Sequence, residues 1–121
     1  MLFDTQSKNA SHLLEKIETA DAILVGAAAG MSAACGFNFF YQNDSYFQKY
    51  LSEFHEKYGF TGAFNGFYYR YPSSEARWAF LARMCYMEYE CETGKPYYDL
   101  MALLAGKNYH IMTTNQDFQF T

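Results

Sequence analysis

The sequence predicts an α/β fold in which two short parallel strands are joined by a long helical crossover. Three observations carry that reading. Two short apolar runs, residues 22–25 and 109–113, stand far apart in the chain. A loop of small residues, 26–30, follows the first run directly. The stretch between the runs has helical periodicity or loop chemistry, so the connection is a crossover inflated to about 70 residues by a helical insertion.

The elements follow in chain order. Ala10, Leu13, Leu14 and Ile17 recur at helical spacing and mark one face of an N-terminal helix, which Asp21 closes. Ala22-Ile23-Leu24-Val25 is a continuous apolar run, the signature of a strand buried on both faces in a parallel sheet. The small residues Gly26 to Gly30 let the backbone turn tightly, and residues 31–35 open a helix that Gly36 ends. Residues 45–58 are the clearest helix. Ser45 and Gln48 form a capping-box pair, and Phe47, Tyr50, Leu51, Phe54 and Tyr58 make its apolar stripe, with Gly59 as C-terminal stop. Residues 60–72 read as an aromatic loop, because Gly59, Gly62 and Gly66 interrupt any long element. Ser73 or Ser74 caps a second long helix ending near Thr93-Gly94, with Trp78, Leu81, Ala82, Cys85 and Tyr89 as its stripe and Met84 and Met87 partly off it. Pro96 starts a third helix, with Leu100, Leu103 and Leu104 inward and Gly106 as its cap. Residues 109–113 form the second strand and run into Thr114-Asn115-Gln116-Asp117.

The composition excludes several function classes. The chain has 121 residues, 50% hydrophobic and 18% charged, with aromatics at 21%. Disordered and low-complexity chains have neither so many aromatics nor so few charges. A net charge of −4 argues against phosphate-neutralising nucleic-acid binding and against a polybasic membrane surface. The most apolar stretch, residues 22–35, is too short to span a bilayer, which takes about 20 residues. Three cysteines without a CxxC pair read as reduced thiols of a cytoplasmic protein, and no metal site is expected.

Two constellations carry chemistry. Strand, small-residue loop and helix start in series offer backbone N–H groups to a phosphate, although small residues also serve tight strand–helix packing. GxxxG stands here rather than the dinucleotide pattern GxGxxG, with Ala28 in the middle position. The second constellation, residues 113–117, lies at the carboxyl end of a strand, where open α/β sheets bind ligands. Asn115 and Asp117 are two apart and share one side of an extended segment, although an Asx turn would look the same. His12, His55 and His110 are scattered over three elements and support no nucleophile pair. Cys35, in the first turns of a helix, reads as a packed small thiol or as one with a lowered pKa.

Together the two constellations resemble the sirtuins. Ala28-Ala29-Gly30-Met31-Ser32-Ala33-Ala34-Cys35-Gly36-Phe37 is similar to the sirtuin loop Gly-Ala-Gly-Ile-Ser-Ala-x-Ser-Gly-Ile, and Thr113-Thr114-Asn115-Gln116-Asp117 to Thr-Gln-Asn-x-Asp. The bacterial macrodomain-linked (class M) branch is nearer, with Thr-Thr-Asn-Val-Asp-His-Gln-Phe as second motif; Gln116 and Phe118 differ from it here. Residues 56–60, the aromatic segment to Tyr71-Pro72, and Glu75-Ala76-Arg77-Trp78-Ala79 also resemble that branch.

The resemblance implies the N-terminal part of a sirtuin-type Rossmann-like parallel-sheet domain over residues 1–121, with residues 37–96 as the insertion. It implies NAD as cofactor and either ADP-ribosyl transfer or deacylation on a protein side chain, with nicotinamide release. By position, Gly26, Ala28, Ala29, Gly30, Ser32, Ala33 and Thr114 would hold the cofactor. Asn115 would position the nicotinamide ribose and Asp117 the carboxamide, as both cofactor-binding and catalytic residues. The implied partner is a protein substrate, a lipoyl-carrier protein among the candidates. The family's catalytic His, a Gln in class M, lies downstream of the second motif, and this chain ends four residues after Asp117. The expectation is therefore a truncated chain, inactive alone, that associates through an unpaired sheet edge. A non-catalytic NAD- or protein-binding remnant and a sirtuin-like NAD hydrolase stay open as alternatives.

Overall fold

A computed structural model describes residues 2–120, with side chains from residue 7 onward. The elements are α1 (Leu2–Thr19), β1 (Ile23–Ala27), α2 (Ala29–Ala34), α3 (Ser45–Tyr58), α4 (Ala63–Tyr68), α5 (Ser74–Glu90), α6 (Lys95–Leu104) and β2 (Tyr109–Thr113). The fold is mixed α/β and mostly helical. Its sheet has two strands, β1 and β2, which run parallel with Ile23 opposite Tyr109 and Ala27 opposite Thr113. The long crossover between them is the helical stretch read from the sequence.

The core belongs to the crossover. Phe37, Phe39, Phe47, Leu51, Phe54, Phe60, Phe80, Met84 and Met87 form one buried cluster, and every member of it falls between Phe37 and Cys91. Its rings meet mostly edge to face: Phe54 and Phe60 both approach Phe80 at an interplanar angle of 85°, with centroids 5.3 and 5.8 Å away. This geometry sets the positive ring edge on the negative ring face. Gly66 is required because a side-chain carbon there would run into the Phe80 ring. The Tyr71 hydroxyl, also against this cluster, donates to the Gly66 carbonyl at 3.0 Å.

Several expectations are corrected. β1 is not buried on both faces: its residues alternate between half-buried and exposed, and Leu24 is 67% exposed. A parallel sheet is covered on both faces only when helices flank several strands, and here nothing among the described residues packs over Leu24 or Met112. The apolar stripe of α1 is likewise open, since Leu13 and Leu14 are exposed and Ile17 is half-buried.

The cap of α3 is Asp44, not Ser45. Asp44 holds the extended backbone and its carboxylate accepts from the Phe47 N–H at 2.9 Å, so Ser45 is already helical. Residues 60–72 are not all loop, because they contain α4. That short helix starts where the N–H groups of Ala63 and Phe64 donate to the carbonyls of Phe39 and Phe40, partners more than twenty residues away in sequence. The buried face of α5 is Phe80, Met84, Met87 and Glu88, while Trp78, Cys85 and Tyr89 are exposed. Apolar residues lie all round this helix, so periodicity alone does not choose a face. Phe80 decides it by inserting among the rings of α3 and the 60–71 segment. The helix also stops at Glu90, with Cys91 as cap, before Thr93-Gly94. In α6, Leu104 is buried and Leu100 half-buried, but Leu103 is exposed and Tyr97 fills the inward position.

Among the described residues, no helix is long and apolar enough to cross a membrane.

Candidate functional site

A cleft of about 640 Å³ opens at the carboxyl ends of β1 and β2, between the sheet and the insertion. That size lies within the usual range for small-molecule sites. Three segments wall it. The loop and first turns of α2 supply Ala29, Gly30, Ser32 and Ala33, the segment after β2 supplies residues 114–117, and the insertion supplies mainly aromatic side chains and Glu88.

The two sequence motifs meet here through hydrogen bonds that span the chain. Ser32 Oγ donates to Asp117 Oδ2 at 2.5 Å, and Tyr97 Oη donates to the same oxygen at 2.8 Å. Asn115 Nδ2 donates to the Ala28 carbonyl at 3.0 Å and to Tyr97 Oη at 3.4 Å. Parallel pairing is the cause. It brings the ends of both strands to one edge, so the turn after β1 and the segment after β2 face each other.

Local turns then aim the side chains. Thr113 Oγ1 accepts from the Asn115 N–H at 3.0 Å, and Asp117 Oδ1 accepts from the Gln119 N–H at 3.3 Å. The Asx-turn reading of this segment is therefore true of Asp117 together with its cross-chain role. Asp117 is buried at the cleft floor. Gln119 Nε2 donates to the carbonyls of Asp117 and Cys91, leaving Gln119 Oε1 buried without a donor among the described residues.

Of the nine residues expected from sequence to face a cofactor, Ala29, Gly30, Ser32, Ala33, Thr114, Asn115 and Asp117 line the cleft. Gly26 and Ala28 do not: Gly26 lies within β1, paired with Met112, and Ala28 presents its carbonyl to Asn115. Ala28 has φ −140°, an extended backbone open to any residue, so an alanine where the similar sirtuin loop has a glycine brings no strain.

Sequence reading missed Tyr97 and Glu88. Tyr97 is fully buried, and its hydroxyl joins the loop-facing pair Asn115 and Asp117. Burial, with the Asp117 bond and charge, raises its pKa against the lowering effect of Ser32 and Asn115. Its place directly after Pro96 in a first turn was the only signal, and that signal spoke of helix, not of a site. Glu88 is 6% exposed, and it lines the cleft. Burial first, and the Asp117 charge second, push it up to about 7. Cys35 is also raised, by burial and then by Asp117, so the activated-thiol reading falls; Gly94 packs directly on it.

The cleft presents carboxyl, amide, hydroxyl and backbone groups on one side and aromatic rings on the other. Among the described residues, no Lys, Arg or His lines it. An anionic ligand must therefore be held by N–H and O–H donors rather than by cations.

No family model matches the chain. It is 37% identical over 121 residues to a curated protein named protein ADP-ribosyltransferase, from Staphylococcus aureus (strain Mu50 / ATCC 700699), across 99% of its own length. The chain spans 38% of that relative's length.

Proposed function

We propose that the cleft binds NAD and that the protein takes part in NAD-dependent ADP-ribosyl transfer to a protein side chain, with a sirtuin-type arrangement of the nucleotide-binding half. One observation carries this reading: Asn115 and Asp117 are tied across the sheet edge to the Ala28–Ser32 loop. The likeness to a protein named ADP-ribosyltransferase supports transfer over deacylation.

The residues present fit such a ligand. The small side chains at 29, 30 and 33 leave backbone accessible for a diphosphate, and the aromatic wall suits a flat ring. NAD supplies an electrophilic ribose carbon with nicotinamide as the leaving group. The chain's own residues supply position. Asn115, held at Nδ2 by Ala28 and Tyr97, turns its amide oxygen to a ribose hydroxyl. Asp117, fixed by Ser32, Tyr97 and the Gln119 N–H, keeps lone pairs for an amide N–H. Tyr97 locks both, so neither side chain has to be ordered when ligand arrives. The acceptor is a protein side chain, a lipoyl-carrier protein among the candidates, and the exposed rims of the aromatic wall offer it a surface.

The test has two stages. Calorimetry with NAD should show one site, and its absence at millimolar NAD removes the reading. Transfer of label from biotin-NAD to a protein should then fall on the order of 100-fold in Asn115→Ala, the usual cost of a misplaced reacting group. A protein that binds NAD but passes ADP-ribose only to water is the hydrolase; one that binds and does nothing further is the remnant.

A further inference from the structure

Glu88 is the group this cleft does not explain. It lies in the last turn of α5, is more than nine-tenths buried and lines the cleft. Three features of its position disfavour the carboxylate. Burial strips away most of its water. The Asp117 carboxylate stands close enough to repel it. The C-terminal end of a helix carries the negative pole of the backbone dipoles. With no cation on the cleft walls among the described residues, two ionised carboxylates there would also oppose any phosphate-bearing ligand, whereas a neutral carboxylic acid is a hydrogen-bond donor.

We propose that Glu88 is a ligand-contacting residue that, as the neutral acid, donates a hydrogen bond to an oxygen of the bound nucleotide, so that filling the cleft is coupled to protonation of Glu88. This rests on the NAD reading and adds to it a contact and a pH dependence. The ligand class is anionic and oxygen-rich, a dinucleotide or nucleoside diphosphate. A cationic amine is the opposite case, since it would call for the ionised form.

The surroundings support Glu88 as the titrating group. Asp117 follows β2, and Tyr97 on α6 and Cys35 after α2 are both raised by burial. Cys91, at the cap of α5, is pushed up to about 12 by burial and by Glu88. Asp44, capping α3, and Lys49 on α3 act on this corner through Cys91 with opposite signs. Tyr46, also on α3, is raised by burial and stays neutral. Among the described residues, no histidine lines the cleft.

The sign follows from linkage. A ligand that requires the protonated acid binds with full affinity below the acid's pKa and loses roughly tenfold per pH unit above it. Calorimetric titration of the protein with NAD between pH 5.5 and 8.5 should show that loss above about pH 7. Glu88→Gln keeps a neutral donor and should hold the low-pH affinity throughout, while Glu88→Leu should bind weakly at every pH. Carboxyl ¹³C NMR of the wild type, which needs no variant to fold, should show Glu88 titrating near neutrality and moving higher when NAD is added. A slope that survives in Glu88→Gln, binding that tightens with pH, or a Glu88 resonance unmoved by NAD overturns this inference alone. No NAD binding by wild type at any pH overturns it together with the NAD reading.

Discussion

Phe80 on α5 and Leu24 on β1 are both large apolar side chains on regular elements. Phe80 is fully buried and Leu24 is 67% exposed. The same contrast runs through the two regions they belong to. The insertion between Phe37 and Cys91 closes a core of its own, because α3, α4 and a loop of rings pack around α5. The sheet region has two strands, an N-terminal helix with an open stripe, and only Tyr97 and Leu104 of α6 buried. Apolar content alone does not make a core; enough elements must meet around it. The cleft lies on the seam between the two regions, with its mainly aromatic wall taken from the insertion and its polar floor from the strand ends.

Substitutions can break or sharpen that contrast. The largest effect is expected from Phe80→Ala, which leaves a ring-sized cavity and should cost about 3–5 kcal/mol by chemical denaturation. A loss below about 1 kcal/mol would mean the insertion is not the stabilising core.

The pH dependence of stability comes next. Glu88 has a folded-state pKa raised from the ordinary value of 4.5 to about 7. Its contribution to stability is thus fully present below about pH 4.5 and is lost as pH rises toward 7. The fold holds the protonated carboxyl at lower cost than the ionised one. Over that window the melting temperature should fall by the equivalent of about 1–3 kcal/mol, and Glu88→Gln should flatten the slope.

Asp44→Ala should cost about 1 kcal/mol as a lost helix cap. It should also loosen the 37–44 loop, because the other Asp44 oxygen accepts from the Asn38 N–H at 3.0 Å. Ser45→Ala should be nearly neutral, and a reversal of the two would restore Ser45 as the cap.

The smallest effect belongs to Leu24→Ser, within about 0.5 kcal/mol as for other surface positions. Its consequence should lie elsewhere. Each strand has an unpaired edge and the sheet exposes Leu24 and Met112, so sedimentation should show association that weakens in Leu24→Lys.

The misreadings and the correct readings have one pattern. β2 and α3 were legible to the residue, because a bounded apolar run and a one-sided stripe are local signals. The pairing of the 26–37 loop with residues 113–117 was legible as a motif order. The face of α5 was not, because apolar residues lie all round it and only the insertion of Phe80 chooses. α4 was not, because its first hydrogen bonds go to the carbonyls of Phe39 and Phe40. Tyr97 and Glu88 were invisible as site residues, since nothing in their neighbours along the chain marks them.

By itself the sequence determined the elements other than α4, the parallel pairing and the two segments that flank the cleft, all set by patterns within a few residues or by strand direction. Tertiary structure alone decided which apolar faces found cover, that Tyr97 joins Asn115 to Asp117, and that Glu88 stands beside Asp117 away from water. Burial and charge proximity depend on groups distant in the chain, and no local spacing encodes them.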